Sequence, residues 1–277
     1  MYSRVETITP EIAAEYLKHN VTDGERRNRR MKPMAVYRYA DDMKNGRWQL
    51  TPQGIAFFEN GVLSDGQHRL EAIIVAGVPV QMNVTYDVPN ESTIFDRGVA
   101  RSTGDVFVMT GKSGPAYGTN GIAAARFLFR YANKQNTSEG ALMAFIDDNA
   151  EKLGSAVNAT LRGRGKRNGF SASGKGCIIA SSFCALYCGI EEDELAKFFT
   201  SVNTGFVDSS DERAAIVLRN YLIQGYHESW ATRKEAFMIS TNAIKDYADK
   251  IPRSKKYRSD TAPAFWSWTK KLIDSYK

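Results

Sequence analysis

Residues 54–77, GIAFFENGVLSDGQHRLEAIIVAG, decide how this chain is read. Ile55 to Phe58 is a short apolar strand, Asn60-Gly61 is a strong hairpin turn, and Val62-Leu63 begins the return. The return runs into a polar pentad, Asp65-Gly66-Gln67-His68-Arg69, and then into the apolar helix Leu70 to Ala76, which Gly77 ends. Ala72, Ile73 and Ala76 share one side of that helix. A strand-to-helix turn points backbone N–H groups outward and favours bound anions. The pentad therefore predicts a phosphate site.

Each member has a chemical reason to be there. Arg69 offers a planar fork to phosphate oxygens, and His68 can donate to another. Gly66 lets a ligand come close to the backbone, and Gln67 adds an amide. Asp65 would be repelled by a naked phosphate, so it must be paired or bound to a metal. It can orient His68 or Arg69, or hold Mg²⁺ beside a nucleotide. Glu59, on the other arm of the hairpin, is read as a nearby carboxylate that can serve as base or Mg²⁺ ligand. The plainer alternatives are a hairpin cap for the pentad and a solvated charge for Glu59. The other histidines, His19 and His227, lack comparable polar neighbours.

A second constellation is FDRGVARSTGDVF, with Asp96, Arg101, Ser102, Thr103 and Asp105. Ser102 or Thr103 can cap a helix starting near Asp105, whose N-terminus would be another anion site. Arg101, Ser102 and Thr103 are candidate phosphate contacts and Asp96 a candidate base. Asp96 and Arg101 can equally pair with each other across the turn.

Around this centre the chain reads as α+β. Thr9-Pro10 opens a capped helix through EIAAEYLKHN, a basic loop follows, and VYRYADDMKNGRW is a second helix closed by Asn45-Gly46. Val78 to Val88 alternates as a strand. Beyond about Gly118 the strand signal fades and six segments with helical periodicity follow. The expected division is an α+β domain over 1–115 and an all-helical domain over 116–277, joined in the Gly/Ser-rich passage 111–121.

With 277 residues, 43% of them apolar and 25% charged, the composition is that of a globular protein. Apolar runs fall short of the ~20 residues of a membrane span, and the N-terminus lacks the apolar core of a signal peptide; a cytoplasmic location is expected. Cys177, Cys184 and Cys188 sit at helix-face spacings without a histidine nearby, which predicts buried thiols rather than a metal site. The net charge of +6 permits nucleic-acid binding without requiring it. Basic residues gather at Arg26, Arg27, Arg29, Arg30 and Lys32, again at Arg162, Arg164, Lys166, Arg167 and Lys175, and again at 253–258. Gly24-Glu25-Arg26-Arg27 has the letters of a nucleotide-binding box but no preceding strand, and no G-x-x-x-x-G-K-[ST] loop is present.

The order strand, hairpin, Gly-x-His-Arg turn, apolar helix, Gly77 and strand resembles the ParB/sulfiredoxin superfamily over roughly Thr51 to Val88. The DGQHR pentad resembles the branch with DndB-like proteins and phage ParB-like nuclease-domain proteins. The resemblance implies a ParB/sulfiredoxin-like fold for the first domain, with Gly66, His68 and Arg69 on nucleotide phosphates. Sulfiredoxins carry a catalytic cysteine just before the histidine; Gln67 stands there in this chain, which disfavours sulfinic-acid reduction. The ParB box ends in two arginines after a glutamate, so Gln67 and His68 also depart from the CTP-binding pattern. The resulting expectation is an NTP-binding phosphotransferase or NTP hydrolase acting on or near DNA. ATP with Mg²⁺ is the first choice of cofactor, a phage origin is expected, and a kinase for a modified-base hydroxyl is one version. A non-catalytic DNA-binding regulator of DndB type is the alternative, and a ParB-like nuclease the third.

Overall fold

The computed structural model describes residues 1–21, 28, 31–89, 102–134, 137–164, 174–224, 226, 229–253, 255–258 and 261–276. Arg26, Arg27, Arg29, Arg30, Asp96, Arg101, Lys166, Arg167 and His227 lie outside them. The fold is α+β, and the chain divides into two compact units. One takes residues 1–100 and 136–141, the other 101–135 and 142–276.

In the first unit the described elements are β1 (Tyr2–Ile8), α1 (Pro10–Leu17), α2 (Pro33–Lys44), β2 (Ile55–Phe58), β3 (Leu63–Asp65), α3 (Gln67–Ala76) and β4 (Val80–Val88). The sheet runs β1-β4-β2-β3 and is mixed. β4 pairs antiparallel with β1 and parallel with β2, and the hairpin β2–β3 completes it. Because β2 and β4 are parallel, the chain must cross over between them, and α3 is that crossover. Val80, Met82 and Val84 alternate into the core, where Leu70 and Ile73 of α3 and Val36, Ala40 and Met43 of α2 close over them. Thr9 caps α1, accepting from the Ile12 N–H at 3.3 Å, with Pro10 in the first turn.

β1 is absent from the sequence expectation. Only Ile8 of its seven residues is buried, so the strand carries almost no apolar signal. Its place is fixed by pairing with β4 and by Glu6, whose carboxylate accepts from Tyr16 of α1 (2.9 Å), Tyr86 of β4 (2.7 Å) and Arg4 (2.7 Å).

In the second unit the described elements are helical: α4 (Thr103–Met109), α5 (Thr119–Tyr131), α6 (Glu139–Asp148, whose first three residues group with the first unit), α7 (Ala150–Leu161), α8 (Gly176–Tyr187), α9 (Glu192–Thr204), α10 (Arg213–Gln224), α11 (Trp230–Ala248) and α12 (Trp266–Ser275). α8 is buried along nearly its whole length and packs against α5, α7, α11 and α12. A helix that is apolar all round belongs at the centre of a core. Cys177 and Cys184 are fully buried thiols of this helix and Cys188, at its end, is half-buried. The division falls ahead of the expected junction, because Phe107 of α4 is buried in the helical core with its ring 4.9 Å from Tyr117.

Candidate functional site

The pentad sits where β3 hands over to α3. Gly66 is the N-cap of α3 at φ 106°, ψ 0°, and a Cβ there would lie 3.0 Å from the Ile55 Cα and 3.1 Å from its Cγ1. Two constraints thus demand glycine: the left-handed backbone and the closeness of β2. Gln67, His68 and Arg69 form the first turn of α3, so the helix starts three residues before its apolar stretch. The Gly66 N–H donates to the Asp65 carboxylate at 2.7 Å.

Arg69 is largely buried. Its Nη1 donates to the Gly54 carbonyl at 2.7 Å and lies 3.6 Å from the Asp65 carboxylate, which is itself 60% exposed. Among the described residues its side-chain contacts all use Nη1. The guanidinium is therefore anchored on one side, and its remaining donors keep a fixed direction. Asp65 is thus paired with Arg69. The pair is half in solvent and contributes little by itself; its effect is orientation.

His68 is buried, and its Nε2 accepts the backbone N–H of Lys32 at 3.0 Å. An accepting nitrogen carries no proton, so Nε2 does not donate to a ligand here. Lys32 is the N-cap residue of α2 and has no side-chain cap. The imidazole thus ties the start of α2 to the first turn of α3. Gln67 is also buried and turns the other way, its Oε1 accepting from Asn20 at 3.2 Å; Asn28 bonds Asn20 and the Leu63 carbonyl in the same network.

Between the two helix starts lies a pocket of about 230 Å³, lined by Lys32, Ala35 and Tyr39 from α2 and by Asp65, Gly66, His68 and Arg69. That volume is below the ~300–1,000 Å³ typical of whole-ligand sites, and suits a phosphate chain rather than a complete nucleotide. No known family model, curated protein or solved structure matches this chain. The reading of the pocket therefore rests on its own chemistry.

Two helix N-termini carry partial positive charge toward one volume, and Lys32 and Arg69 add full charges. Three pocket residues, Lys32, Ala35 and Tyr39, were not assigned to this site from the sequence. In the sequence Lys32 belongs to a basic cluster and Tyr39 to a helical segment. The Lys32-Pro33 start of α2 is a local signal, but its meeting with α3 is a tertiary contact.

Glu59 stands apart from the pentad. It is exposed at the hairpin tip, its N–H bonded to the Val88 carbonyl at 3.0 Å, while the pentad leaves from the open end. Turn and open end are opposite ends of a hairpin, some three residues or roughly 10 Å apart at strand rise. Ser102 does cap α4, in a capping box with Asp105 whose N–H donates to the Ser102 Oγ at 3.2 Å. Thr103 is buried and its hydroxyl accepts from Arg126 at 2.6 Å. Both belong to the second unit. Arg164 is exposed at the end of α7.

Among the described residues no group of three or more His, Cys, Asp or Glu gathers in metal-binding distance. Asp65 fits Mg²⁺ as a single protein ligand, the mode in which the ion arrives on substrate phosphates and keeps most of its waters. No helix is long and apolar enough to cross a membrane among the described residues.

Proposed function

We propose that this chain is an NTP-binding phosphotransferase or NTP hydrolase acting on or near DNA, with the β3–α3 turn as its phosphate site. The observation that carries the reading is the convergence of two helix starts, Lys32 and Arg69 on one small pocket. In this scheme Arg69 and the first-turn N–H groups of α3 hold phosphate oxygens. His68 positions α2 against them, and Asp65 orients Arg69 and takes Mg²⁺ as one ligand. The element order and the Gly-x-His-Arg turn support a ParB/sulfiredoxin-like identity for the first unit.

A second reading is nucleotide binding without catalysis, as a switch on a DNA-binding regulator. It is favoured by Asp65 being the only carboxylate among the described residues lining the pocket. One pair of measurements separates them. ATP, CTP, GTP and ADP with Mg²⁺ should raise the melting temperature of the wild type and not of Arg69→Ala. Absence of any nucleotide-dependent shift in the wild type removes both readings. Labelled ATP is then incubated with DNA carrying or lacking hydroxylated bases; label on DNA or released phosphate supports the enzyme, and neither leaves the switch.

A further inference from the structure

A cavity of about 570 Å³ lies in the helical unit, between α10, α11 and the segment at Lys256–Tyr257. Its size is in the range of small-molecule sites. One face of α10 is turned to it: Val217, Asn220, Tyr221 and Gln224 follow the i, i+3, i+4, i+7 spacing of a single helix side. Glu235 and Ile239 face it from α11 at i, i+4.

The aromatic walls are held in place by hydrogen bonds from their hydroxyls to carboxylates. Tyr257 donates to the Asp246 carboxylate at 2.9 Å, and the Arg253 guanidinium lies 4.5 Å from its ring centre. Arg253 also donates to Asp246 at 2.8 Å, so ring and cation are locked as a unit. Tyr221 donates to one oxygen of Glu235 at 2.9 Å. Both phenol hydroxyls are engaged, and the rings remain as surfaces.

The other polar groups are not engaged. The second oxygen of Glu235, the amides of Asn220 and Gln224, and the ammonium of Lys256 have no partner among the described residues. The cavity therefore combines fixed aromatic surfaces, an acceptor-only carboxylate, two carboxamides and a cation beside the exposed Lys255. Carboxylate and carboxamide groups match the donor and acceptor edge of a nucleobase. Aromatic rings match its faces, and a lysine at the mouth matches a phosphate.

We propose that this cavity binds one nucleotide unit, base inward between Tyr221 and Tyr257 and phosphate toward Lys256. The unit comes either from a free nucleotide or from an unstacked base of a single strand. The site is independent of the β3–α3 pocket and does not rest on its assignment.

The test is calorimetric titration of the full chain with each of the four deoxynucleoside 5′-monophosphates and with a mixed-sequence single-stranded octamer. The expected result is saturable binding of at least one probe. Val217→Trp, which fills the cavity, should weaken it tenfold or more, and Lys256→Ala about threefold to tenfold. Arg69→Ala should leave it in place. Binding of monomers identifies a free nucleotide; binding of the octamer alone, with the same variant sensitivity, identifies a strand. No saturable binding of any probe overturns the proposal. So does binding that survives both cavity variants, or that is lost in Arg69→Ala but kept in Val217→Trp. If Val217→Trp fails to fold, the surface variant Lys256→Ala together with Glu235→Gln decides.

Discussion

Replacing Gly66 by alanine tests the claim that the pentad's geometry is imposed by the backbone. The residue sits at φ 106°, where an L side chain costs about 1–2 kcal/mol. The added methyl would stand 3.0 Å from the Ile55 Cα and 3.1 Å from its Cγ1, in a strand with no room to retreat. Overpacking of that kind adds ~1–3 kcal/mol. The expected loss is about 3 kcal/mol in the first unit. Gly77→Ala is the matched control: φ is 68° and nothing lies within 4 Å of its Cβ, so it should cost only about 1 kcal/mol. Hydrogen exchange of the α3 amides under urea reads the opening free energy of this unit without interference from the helical one. If the two variants fall within ~0.5 kcal/mol of each other, a spread set by the noise of such measurements, the close approach of Gly66 to β2 is not what fixes the turn.

Three other outcomes follow from specific contacts. The Glu6 carboxyl is partly buried, which alone would raise it, but hydrogen bonds from Tyr86, Arg4 and Tyr16 outweigh this and hold it below its ordinary 4.5. A depressed carboxyl contributes stability above its unfolded value and loses it as pH falls. The advantage of wild type over Glu6→Gln should therefore be full at neutral pH and shrink below about pH 4.5, read by urea melts across that range. Burial pushes the Cys177 thiol up to about 11 and Cys184 up to about 12, so a thiol reagent at pH 8 should label Cys188 first and the other two only on unfolding; prompt native labelling of Cys184 would contradict the central place of α8. His68→Phe leaves the Lys32 N–H without its acceptor at a cost of about 1–3 kcal/mol. Faster exchange in the first turn of α2 should report it, and His68→Gln should restore part of the protection.

What was legible in the sequence was what local chemistry dictates. Thr9-Pro10, Asn60-Gly61, Gly77 and Ser102 each do one local job, capping or turning, and each does it in the structure. β4 was legible because Val80, Met82 and Val84 alternate into a core. β1 was not, because an edge strand with one buried residue is held by cross-strand pairing and by the Glu6 cluster, in which Glu6 and Tyr86 are 80 residues apart. The start of α3 was displaced for a related reason. Gln67 and His68 are buried polar residues in its first turn, and apolar periodicity begins only after them. The pocket itself needed α2 to meet α3, a packing of Val36, Ala40 and Met43 with Leu70 and Ile73 that the His68–Lys32 hydrogen bond pins at its start.

That hydrogen bond changes how the pentad divides its labour. A histidine beside an arginine at a helix start invites a catalytic or ligand-touching role, yet Nε2 is occupied by Lys32 and the ring is buried. His68 therefore acts on the pocket by fixing where α2 begins, and with it the position of the Lys32 and Tyr39 walls. Arg69 is anchored in the same spirit, its Nη1 held by the Gly54 carbonyl and by Asp65. A site assembled this way has spent its polar groups on holding charge and N–H donors at fixed points. Phosphoryl transfer asks for that above all, since its transition state is stabilised by positioning and electrostatics rather than by covalent chemistry from the protein. The same economy serves a nucleotide switch, and transfer of label from ATP is the outcome that only the enzyme produces.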